Sequence, residues 1–319
     1  MNILILSCGT RNKIIQYFKR ELGSNGLVMA TDCSELAPAL YDADKYFIVP
    51  GINEASYLDT ILNICKENDI RAVLSLIDPE LSMLAANKDL FLKAGITPII
   101  SDYDVVEMCF DKWRFNQFLL ENGFKAIRSY VDKELFFRDV ECGIIDYPVI
   151  VKPVRGSASL GIRTASGREE IDLLFSKHHD LMIQEYIDCP EYGADVYVDM
   201  LSSEPVAIFT KEKIKMRAGE TDKSVSVKDE KLFALLRTFV KTAGLRGIVD
   251  IDLFKINAEY YISEVNPRFG GGYPHAYECG VNVPGMIIKN LKGNENQDII
   301  GQYAADVYMM KYNDVKILR

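Results

Sequence analysis

The sequence predicts an α/β protein in which a doubly wound parallel sheet precedes a mixed α+β region. Three observations lead to this fold class. Over the first third of the chain, short apolar strands alternate with amphipathic helices, which is typical of a parallel sheet. After Ser101-Asp102, longer apolar segments and glycine-bracketed turns replace that alternation. Further on, residues 250–268 are predicted to form two strands around a short turn, with acidic side chains on both strands.

The N-terminal elements follow from apolar runs and from helical spacing. Ligands of such sheets bind beyond the carboxyl ends of the strands, which places 7–10, 31–32 and 77–78 near one edge. Gly9 lacks the further glycines of a dinucleotide-binding fingerprint, so plain strand-to-helix turns remain the alternative there. The predicted strands are Ile3–Leu6, Leu27–Ala30, Lys45–Val49, Ala72–Ser75 and Thr97–Ile100, and the predicted helices lie near Lys13–Leu22, Tyr57–Asn68 and Pro79–Ala94.

Composition excludes several classes of protein. With 319 residues, of which 48% are hydrophobic and 26% charged, the chain has room for roughly two or three cores. A net charge of -9 argues against a general nucleic-acid or membrane-surface binder, since both need a dominant positive field. The seven cysteines form no C-x-x-C pair, and the apolar start is too short for a signal peptide. We therefore expect a cytoplasmic protein with reduced thiols and with neither nucleic acid nor membrane as a partner.

A lysine at the end of an apolar strand marks the middle of the chain. Lys152 closes the strand and is followed by small residues bracketed by Gly156 and Gly161. Backbone N–H groups in such a loop can approach phosphate oxygens closely, and the lysine adds a point charge. No Gly-Lys-Ser/Thr sequence closes the loop, so it is not a Walker A loop, and a flexible hairpin turn remains open. Just before it, residues 104–122 have helical spacing and carry Lys112, which is alternatively an ordinary solvated lysine.

Two further segments carry signals of unequal strength, weak in the first and stronger in the second. A strand over 181–187 stops at a Pro-containing bend, where exposed backbone can pair with an adenine edge and a following carboxylate can accept from ribose hydroxyls. Residues 208–217 then alternate with period two, which places four basic side chains on one strand face. A face of four like charges favours polyanions, although a solvated edge strand protected by lysines is the alternative. The four are Lys211, Lys213, Lys215 and Arg217.

The hairpin over 250–268 is the most informative segment. With a turn centred on Asn257-Ala258-Glu259, Asp252 lies opposite Glu264, and Asp250 lies opposite Asn266. Like charges directly across a ladder are destabilising, and a cation would remove that penalty. Two carboxylates and an amide suit Mg²⁺, which takes its other ligands from water and nucleotide phosphates. The alternative is a solvated polar face on an edge hairpin.

Taken in this order, these segments resemble the ATP-grasp superfamily, specifically stand-alone proteins similar to the ATP-grasp unit of a carbamoyl-phosphate synthase large subunit. The resemblance covers essentially the whole chain. It implies a Rossmann-like pre-ATP-grasp domain over 1–105 and an ATP-grasp fold of two α+β subdomains over 106–319. Within the latter, it implies a central lid subdomain at about 123–187 and a C-terminal catalytic subdomain at about 188–319.

The resemblance also implies roles for individual residues. Glu185 and Ile187 would frame adenine mainly through backbone groups, and Glu191 would bind the ribose. Glu264 would bridge two metal ions, and Arg268 would face the transferring phosphoryl group. The implied ATP-binding residues are Lys112, Lys152, Gly156, Ser157, Ser159, Gly161, Gln184, Glu185, Ile187 and Glu191; the metal ligands are Asp252, Glu264 and Asn266; the catalytic candidates are Arg268, Lys213 and Lys215.

The implied activity is an ATP- and Mg²⁺-dependent carboxylate–amine (or ammonia) ligase that proceeds through an acyl phosphate, with one or two Mg²⁺ ions and Mn²⁺ as a substitute. Only one such unit is visible, without an internal repeat, so an amino-acid or related carboxylate ligase is preferred over carbamoyl-phosphate synthesis. A small-molecule kinase, a carbamoyl-phosphate-synthase-like partial activity and a nucleotide-binding regulatory module stay open, as does a homodimer. His275, in a glycine-rich run, either contacts substrate or caps a helix.

Overall fold

The computed structural model describes residues 1–156 and 161–318, and these form three β-sheets with helices packed against them. The fold class predicted from the sequence is confirmed: a parallel sheet comes first, and two antiparallel sheets follow. No helix in the described ranges combines the length and apolar content that a membrane crossing requires.

The N-terminal sheet is parallel, with strand order β3-β2-β1-β4-β5. The predicted helix over 79–94 is wrong in one respect, because it breaks at Asn87, whose side chain donates to the carbonyl of Met83 at 2.9 Å. The elements are β1 (Asn2–Leu6), α1 (Asn12–Leu22), β2 (Val28–Asp32), β3 (Lys45–Ile48), α2 (Tyr57–Glu67), β4 (Ile70–Ser75), α3 (Asp78–Ala86), α4 (Lys88–Lys93) and β5 (Thr97–Pro98), with short 3₁₀ turns at Gly23–Asn25 and Pro38–Asp42.

Two helices, α5 (Tyr103–Phe110) and α6 (Lys112–Glu121), replace the single helix predicted over 104–122. The break falls at Asp111, whose backbone is extended at φ -99 and ψ 100. Its side chain accepts from the N–H of Arg114 at 2.9 Å and so caps α6. The break makes Lys112 the first residue of a helix rather than a residue on the side of one.

The second sheet has four strands in the order β6-β9-β7-β8 and packs against two helices. Its small core is apolar and includes Phe136, Val149 and Ile171, each 0% exposed. Burying such side chains stabilises this unit by about 1.5–3 kcal/mol each. Its elements are β6 (Ser129–Tyr130), α7 (Lys133–Glu141), β7 (Val149–Pro153), β8 (Arg163–Ala165), α8 (Arg168–Lys177) and β9 (Leu181–Glu185).

The third sheet has six antiparallel strands in the order β14-β13-β10-β11-β12-β15. Helix α9 packs on it through a strongly apolar face, and its buried residues join the largest core cluster. The elements are β10 (Glu191–Val198), β11 (Pro205–Arg217), β12 (Glu220–Val227), α9 (Glu230–Thr242), β13 (Gly247–Ile256), β14 (Glu259–Asn266), α10 (Pro274–Glu278), α11 (Val283–Leu291) and β15 (Tyr308–Met310).

The β13–β14 hairpin reaches the predicted pairing by a different route. Its turn contains only Asn257 and Ala258, both with positive φ (49° and 65°), rather than the three residues expected. A register shift beyond Leu253↔Ile262 leaves Ser263 as an extra residue in β14. The shorter turn and the extra residue compensate, so the predicted pairs Asp252↔Glu264 and Asp250↔Asn266 are confirmed.

The first and third sheets share one core. Buried residues of α1 and β1 belong to the same cluster as those of β10, β13 and α11. At this junction Tyr17 stacks on Tyr277 with ring centroids 3.6 Å apart, and its hydroxyl donates to Glu278 at 2.9 Å. This packing brings the carboxyl ends of the first sheet against the third sheet.

Candidate active site

A cavity of about 520 Å³ is lined by residues of the second and third sheets and by residues that follow two strands of the first sheet. This size falls in the range of small-molecule sites, which is about 300–1,000 Å³. The lining is strongly charged, and it includes most of the residues that the sequence singled out. Its charged members are Arg11, Asp78, Lys112, Lys152, Glu191, Lys213, Arg217, Glu220, Asp250, Asp252, Glu264 and Arg268.

Lys152 is buried at the end of β7, with 6% of the residue exposed. Its Nζ donates to Oε1 of Gln184 on the neighbouring strand at 2.9 Å, and Nε2 of Gln184 in turn donates to Ser129 at 3.0 Å. Burial lowers the pKa of Lys152 to about 8, although the negative charge of Glu264 opposes the shift. A buried ammonium whose described hydrogen-bond partner is a neutral amide is well placed to receive an anion.

Lys112 ties the glycine loop to the break between α5 and α6. Its backbone N–H donates to the carbonyl of Val154 at 2.9 Å, and its Nζ donates to the carbonyl of Gly156. Arg155 reinforces this junction through ion pairs with Glu107 at 2.8 Å and with Asp111 at 3.4 Å. The start of the loop is therefore fixed against the helix pair. Predicted residues Ser157 and Ser159 lie outside the described residues.

Gly161 is required by geometry at the far end of this loop. It adopts φ +77, and a Cβ there would lie 3.1 Å from the ring of Pro153. Left-handed backbone and a tight contact both favour glycine. Gly161 is not among the residues that line the cavity.

The acidic residues of the hairpin face the cavity together. Asp252, Glu264 and Asn266 all line it, as does Asp250. Within the described ranges, Glu264 makes no side-chain hydrogen bond or ion pair, and no three His, Cys, Asp or Glu side chains converge as a preformed metal cluster. Two carboxylates and an amide are hard oxygen donors of the kind Mg²⁺ accepts when a nucleotide supplies further ligands. The residues therefore fit the predicted ion.

Lys213 already neutralises part of this acidic face. Its Nζ lies 2.6 Å from Oδ1 of Asp252 and 2.7 Å from Oε1 of Glu191. Burial lowers the pKa of Lys213, but Asp252 and Glu191 raise it by more, so the net shift is upward. Burial also raises the pKa of Glu191, against the opposing charge of Lys213. The carboxylate repulsion expected in the hairpin is thus relieved partly by the protein itself.

The four basic residues predicted for one face of β11 do not all share the cavity, because only Lys213 and Arg217 line it. Lys211 is fully buried in an ion pair with Asp195, and irregular register on both sides of Lys215 ends the simple alternation. Lys215 is exposed and does not line the cavity, whereas Arg217 does line it and pairs with Asp222 at 3.0 Å. The structure gives Lys215 no place beside the other candidate catalytic residues.

Arg268 joins the first sheet to the third across the cavity. Its Nη2 lies 2.9 Å from Oδ2 of Asp78, in the first turn of α3, and its Nη1 lies 3.9 Å from Asp250. Burial lowers the pKa of Arg268, but Asp78 and Asp250 raise it by more. Its Nε is buried without a hydrogen-bond partner among the described residues.

The glycine run after Arg268 allows backbone to pack directly on charged side chains. A Cβ on Gly270 would lie 2.3 Å from the carboxylate of Asp250, and one on Gly271 would lie 2.6 Å from that of Glu220. Any side chain at these two positions would displace an acidic residue of the cavity wall. The run is therefore a close-packed wall of the cavity.

His275 has a structural position outside the cavity lining. It is 2% exposed, with Nδ1 2.8 Å from the hydroxyl of Ser224 and Nε2 3.0 Å from the carbonyl of Val307. Burial lowers its pKa to about 4, so the ring is neutral and its Nε2–H donates to Val307 while Nδ1 accepts from Ser224. Neither expected role, substrate contact or helix cap, matches this arrangement.

The cavity includes residues that sequence reasoning did not select. Arg11 and Glu220 line it and pair with each other at 2.8 Å, although they are far apart in sequence. The rule that ligands bind at the carboxyl ends of parallel strands could have pointed to Arg11, which follows β1. Ten predicted residues line the cavity, namely Lys112, Lys152, Gly156, Gln184, Glu191, Lys213, Asp252, Glu264, Asn266 and Arg268, whereas Gly161, Glu185, Ile187 and Lys215 do not.

Comparisons with known proteins match both parts of the chain. A family model described as the PylC-like N-terminal domain matches residues 3–99, and the ATP-grasp domain model matches residues 109–272. Among curated proteins, the chain is 23% identical over 235 residues to the carbamoyl phosphate synthase arginine-specific large chain of Geobacillus stearothermophilus. That match covers 70% of this chain but only 22% of the relative, so the chain spans about a quarter or less of that protein.

Solved structures show the same fold. The biotin carboxylase domain of Hydrogenobacter thermophilus 2-oxoglutarate carboxylase, in complex with MgADP, ADP and bicarbonate, matches with TM-score 0.75 and 18% identity over 96% of this chain and 73% of that one. An L-amino acid ligase from Bacillus licheniformis matches with TM-score 0.68 and 18% identity over 91% of this chain and 74% of that one. Because the ATP-grasp model covers more than half of the 319 residues, the chain belongs to the ATP-grasp family.

Proposed function

We propose that the protein is an ATP- and Mg²⁺-dependent ligase that joins a small carboxylate to an amine or ammonia through an acyl phosphate. One observation carries the proposal. One cavity is lined both by a buried lysine of the second sheet, Lys152, and by the paired acids Asp252 and Glu264 of the third. A buried ammonium and metal-binding oxygens in the same cavity suit a nucleotide triphosphate with its ion.

The phosphate end of the site lies between the glycine loop and the hairpin. Lys152 and Lys112 would bind phosphate oxygens from the loop side, and Lys112 would exchange its contact with Gly156 for the nucleotide. Glu191 would bind the ribose, and the backbone of Glu185 and Ile187 would border the adenine.

Asp252, Glu264 and Asn266 would hold Mg²⁺, which when bound neutralises charge on the transferred phosphoryl group. Lys213, which pairs with both Glu191 and Asp252, would keep Glu191 as a partner and could also contact the phosphates. Mn²⁺ offers the same oxygen-directed coordination and is expected to substitute.

The chemistry needs no covalent protein intermediate. A carboxylate oxygen of the substrate attacks the γ-phosphorus of ATP, the bond to the bridging oxygen breaks, and ADP leaves. The amine then attacks the acyl carbon, phosphate leaves, and the nitrogen loses a proton to give an amide. Positioning and charge neutralisation by Lys152, Lys213 and Arg268 supply the catalysis.

The test is a screen of purified protein with ATP and MgCl₂ against pooled carboxylic acids and amines, with release of ADP and phosphate as readout. Mass spectrometry of a positive pool identifies the product. The expected result is amide and phosphate in equal amounts, only when acid and amine are both present. A stable phosphorylated acid or alcohol formed without amine would establish a kinase instead, and nucleotide binding without turnover in any pool would reject catalysis.

Matched variants of one hairpin control this screen. Glu264→Gln removes the charge of a cavity residue and should abolish turnover, while Glu259→Gln changes an exposed residue near the hairpin turn and should leave the rate unchanged. Wild-type rate in Glu264→Gln would contradict the proposed metal site.

A further inference from the structure

The cavity lining includes two guanidinium groups that are distant in sequence. Arg11, in the loop after β1, and Arg268, after β14, both line it. Both are largely buried, with side chains 21% and 11% exposed. No nucleotide role proposed above uses Arg11.

Arg11 and Arg268 belong to one group of charged side chains that line the same cavity. Burial and the positive charge of Arg268 lower the pKa of Arg11, whereas Glu220, Asp250 and Asp78 raise it. Like charges held together in a partly buried place are stabilised by an anion between them.

Their donors are not fully used by the protein. The only ion pair described for Arg11 joins its Nη2 to Glu220 at 2.8 Å, which leaves the rest of a five-donor fork available. In Arg268, Nη1 donates to the carbonyl of Phe269 and Nη2 donates to Asp78. Its Nε has no hydrogen-bond partner among the described residues. Planar forks of this kind match the geometry of a carboxylate.

Surrounding groups hold these arginines in place from both domains. Glu220 is itself held by Lys311 at 2.7 Å, and Asp78 holds Arg268 at 2.9 Å. Gly271 approaches Glu220 so closely that a Cβ would lie 2.6 Å from its carboxyl carbon. The space beside the arginines is thus bounded by packed, charged groups and suits a small, polar molecule rather than a long apolar acid.

We propose that Arg11 and Arg268 together bind the carboxylate of the non-nucleotide substrate, so that the loop after the first strand of the N-terminal sheet supplies half of this subsite. The inference rests on the proposed function for the meaning of "substrate" but concerns binding, which can be measured without turnover. The ligand class is a small carboxylate. An amino acid and a simple aliphatic acid share that chemistry.

The test uses three molecules of similar size: propionate, L-alanine and propylamine. Their binding to nucleotide-free protein is measured by saturation-transfer NMR in wild type, Arg11→Gln, Arg11→Lys and the control Lys13→Gln, which changes an exposed residue two positions away. Circular dichroism and the thermal midpoint establish that each variant is folded. If Arg11→Gln does not fold, Arg11→Lys, which keeps the charge but loses the fork, carries the test.

The expected result is that a carboxylate binds wild type and Lys13→Gln, that propylamine does not, and that affinity falls by about tenfold or more in the Arg11 variants. Binding of L-alanine but not propionate would identify the carboxylate source as an amino acid. Unchanged affinity in the folded Arg11 variants, or no binding of either acid to wild type, would overturn the inference.

These outcomes are separate from those of the ligase screen. Amide formation that survives Arg11→Gln with unchanged KM for the acid would reject this subsite and leave the ligase intact. Acid binding that depends on Arg11, without any amide product, would support this subsite and reject the ligase activity.

Discussion

At the residue scale, Lys152 is a site residue whose charge changes just above neutral pH. Its pKa is lowered to about 8 by burial, so the ammonium is present below that pH and is lost as the pH rises through it. An anionic nucleotide binds the charged form and raises the pKa in the complex. The affinity for nucleotide is therefore coupled to the proton on one buried amine.

This coupling predicts that ADP binds wild type more weakly at about pH 9 than at about pH 7, because fewer molecules carry the Lys152 ammonium. Lys152→Arg stays charged and should flatten this pH dependence, and Lys152→Ala should bind weakly at both. Isothermal titration calorimetry at several pH values measures the effect. Lys125→Arg, at a half-exposed side chain paired with Glu259, is the control. An unchanged pH profile in Lys152→Arg would contradict the assignment.

The two acids of the hairpin differ in their protein partners, although the sequence treats them alike. Asp252 contacts the buried ammonium of Lys213, whereas Glu264 has no ion pair among the described residues. The contribution of Asp252 to stability therefore includes attraction to Lys213 as well as repulsion from Glu264.

We predict that Asp252→Ala lowers the free energy of unfolding without metal by about 1–3 kcal/mol, because Lys213 keeps only Glu191 as a partner. Glu264→Ala should change it by less than about 0.5 kcal/mol, or raise it slightly, because a like charge is removed. Urea unfolding in the presence of a chelator compares the two. Equal losses in both variants would show that the Lys213 contact contributes nothing.

At the element scale, the strand pairing of the β13–β14 hairpin is predicted correctly although its turn length and its bulge are not. The sequence suggests a turn of three residues, whereas the structure has a turn of two and one extra residue, Ser263, in β14. Hydrophobic alternation determines which side chains share a face, but a bulge is decided by local packing that alternation does not encode. The helix break at Asp111 has the same origin: helical spacing continues through it, and only the cap reveals it.

The conformation of Ala258 in the β13–β14 turn predicts how a substitution there changes stability. Ala258 is exposed and adopts φ 65°, a left-handed conformation that disfavours residues with a Cβ. Ala258→Gly should raise the free energy of unfolding by about 0.5–1 kcal/mol, since relief of strain exceeds the extra entropy of the unfolded chain. Ala86→Gly, in an exposed position of α3, should lower it by a similar amount. Denaturant unfolding of both variants measures the difference, and destabilisation by Ala258→Gly would contradict the assigned turn.

At the scale of the whole molecule, the cavity depends on how the first sheet is fixed to the third. Tyr17 of α1 and Tyr277 of α10 stack across this junction. The hydroxyl of Tyr17 donates to Glu278 at 2.9 Å, and that of Tyr277 donates to Glu21 at 2.7 Å. The junction sets the position of Arg11 and Asp78 relative to Arg268.

Loss of one of these hydrogen bonds should loosen the junction without removing it. Tyr17→Phe keeps the buried ring but leaves Glu278 without its donor, so the free energy of unfolding should fall by about 1 kcal/mol. Hydrogen exchange should rise in α1 and α10 and remain unchanged in the second sheet. Tyr312→Phe, at a residue 87% exposed, is the control. A uniform rise in exchange across all three sheets would contradict the local nature of this contact.

The sequence by itself determined the order of sheets, the family, and the short-range parts of the site. Strand alternation places Asp252 and Glu264 on one face, and an apolar strand ending in Lys152 beside small residues points to a phosphate loop, because both signals depend on neighbours along the chain. The resemblance then relates these segments to one another. None of this requires distances between segments.

Only the tertiary structure decided which distant residues share the cavity and which charges are already paired. Arg11 meets Glu220, and Lys213 meets Glu191 and Asp252, through packing of segments that are far apart in sequence. Lys215 does not line the cavity although local alternation predicts it there. Irregular pairing on both sides of Lys215 in β11 interrupts that alternation. Charge pairing depends on three-dimensional distance and burial, and neither is contained in a local pattern of residues.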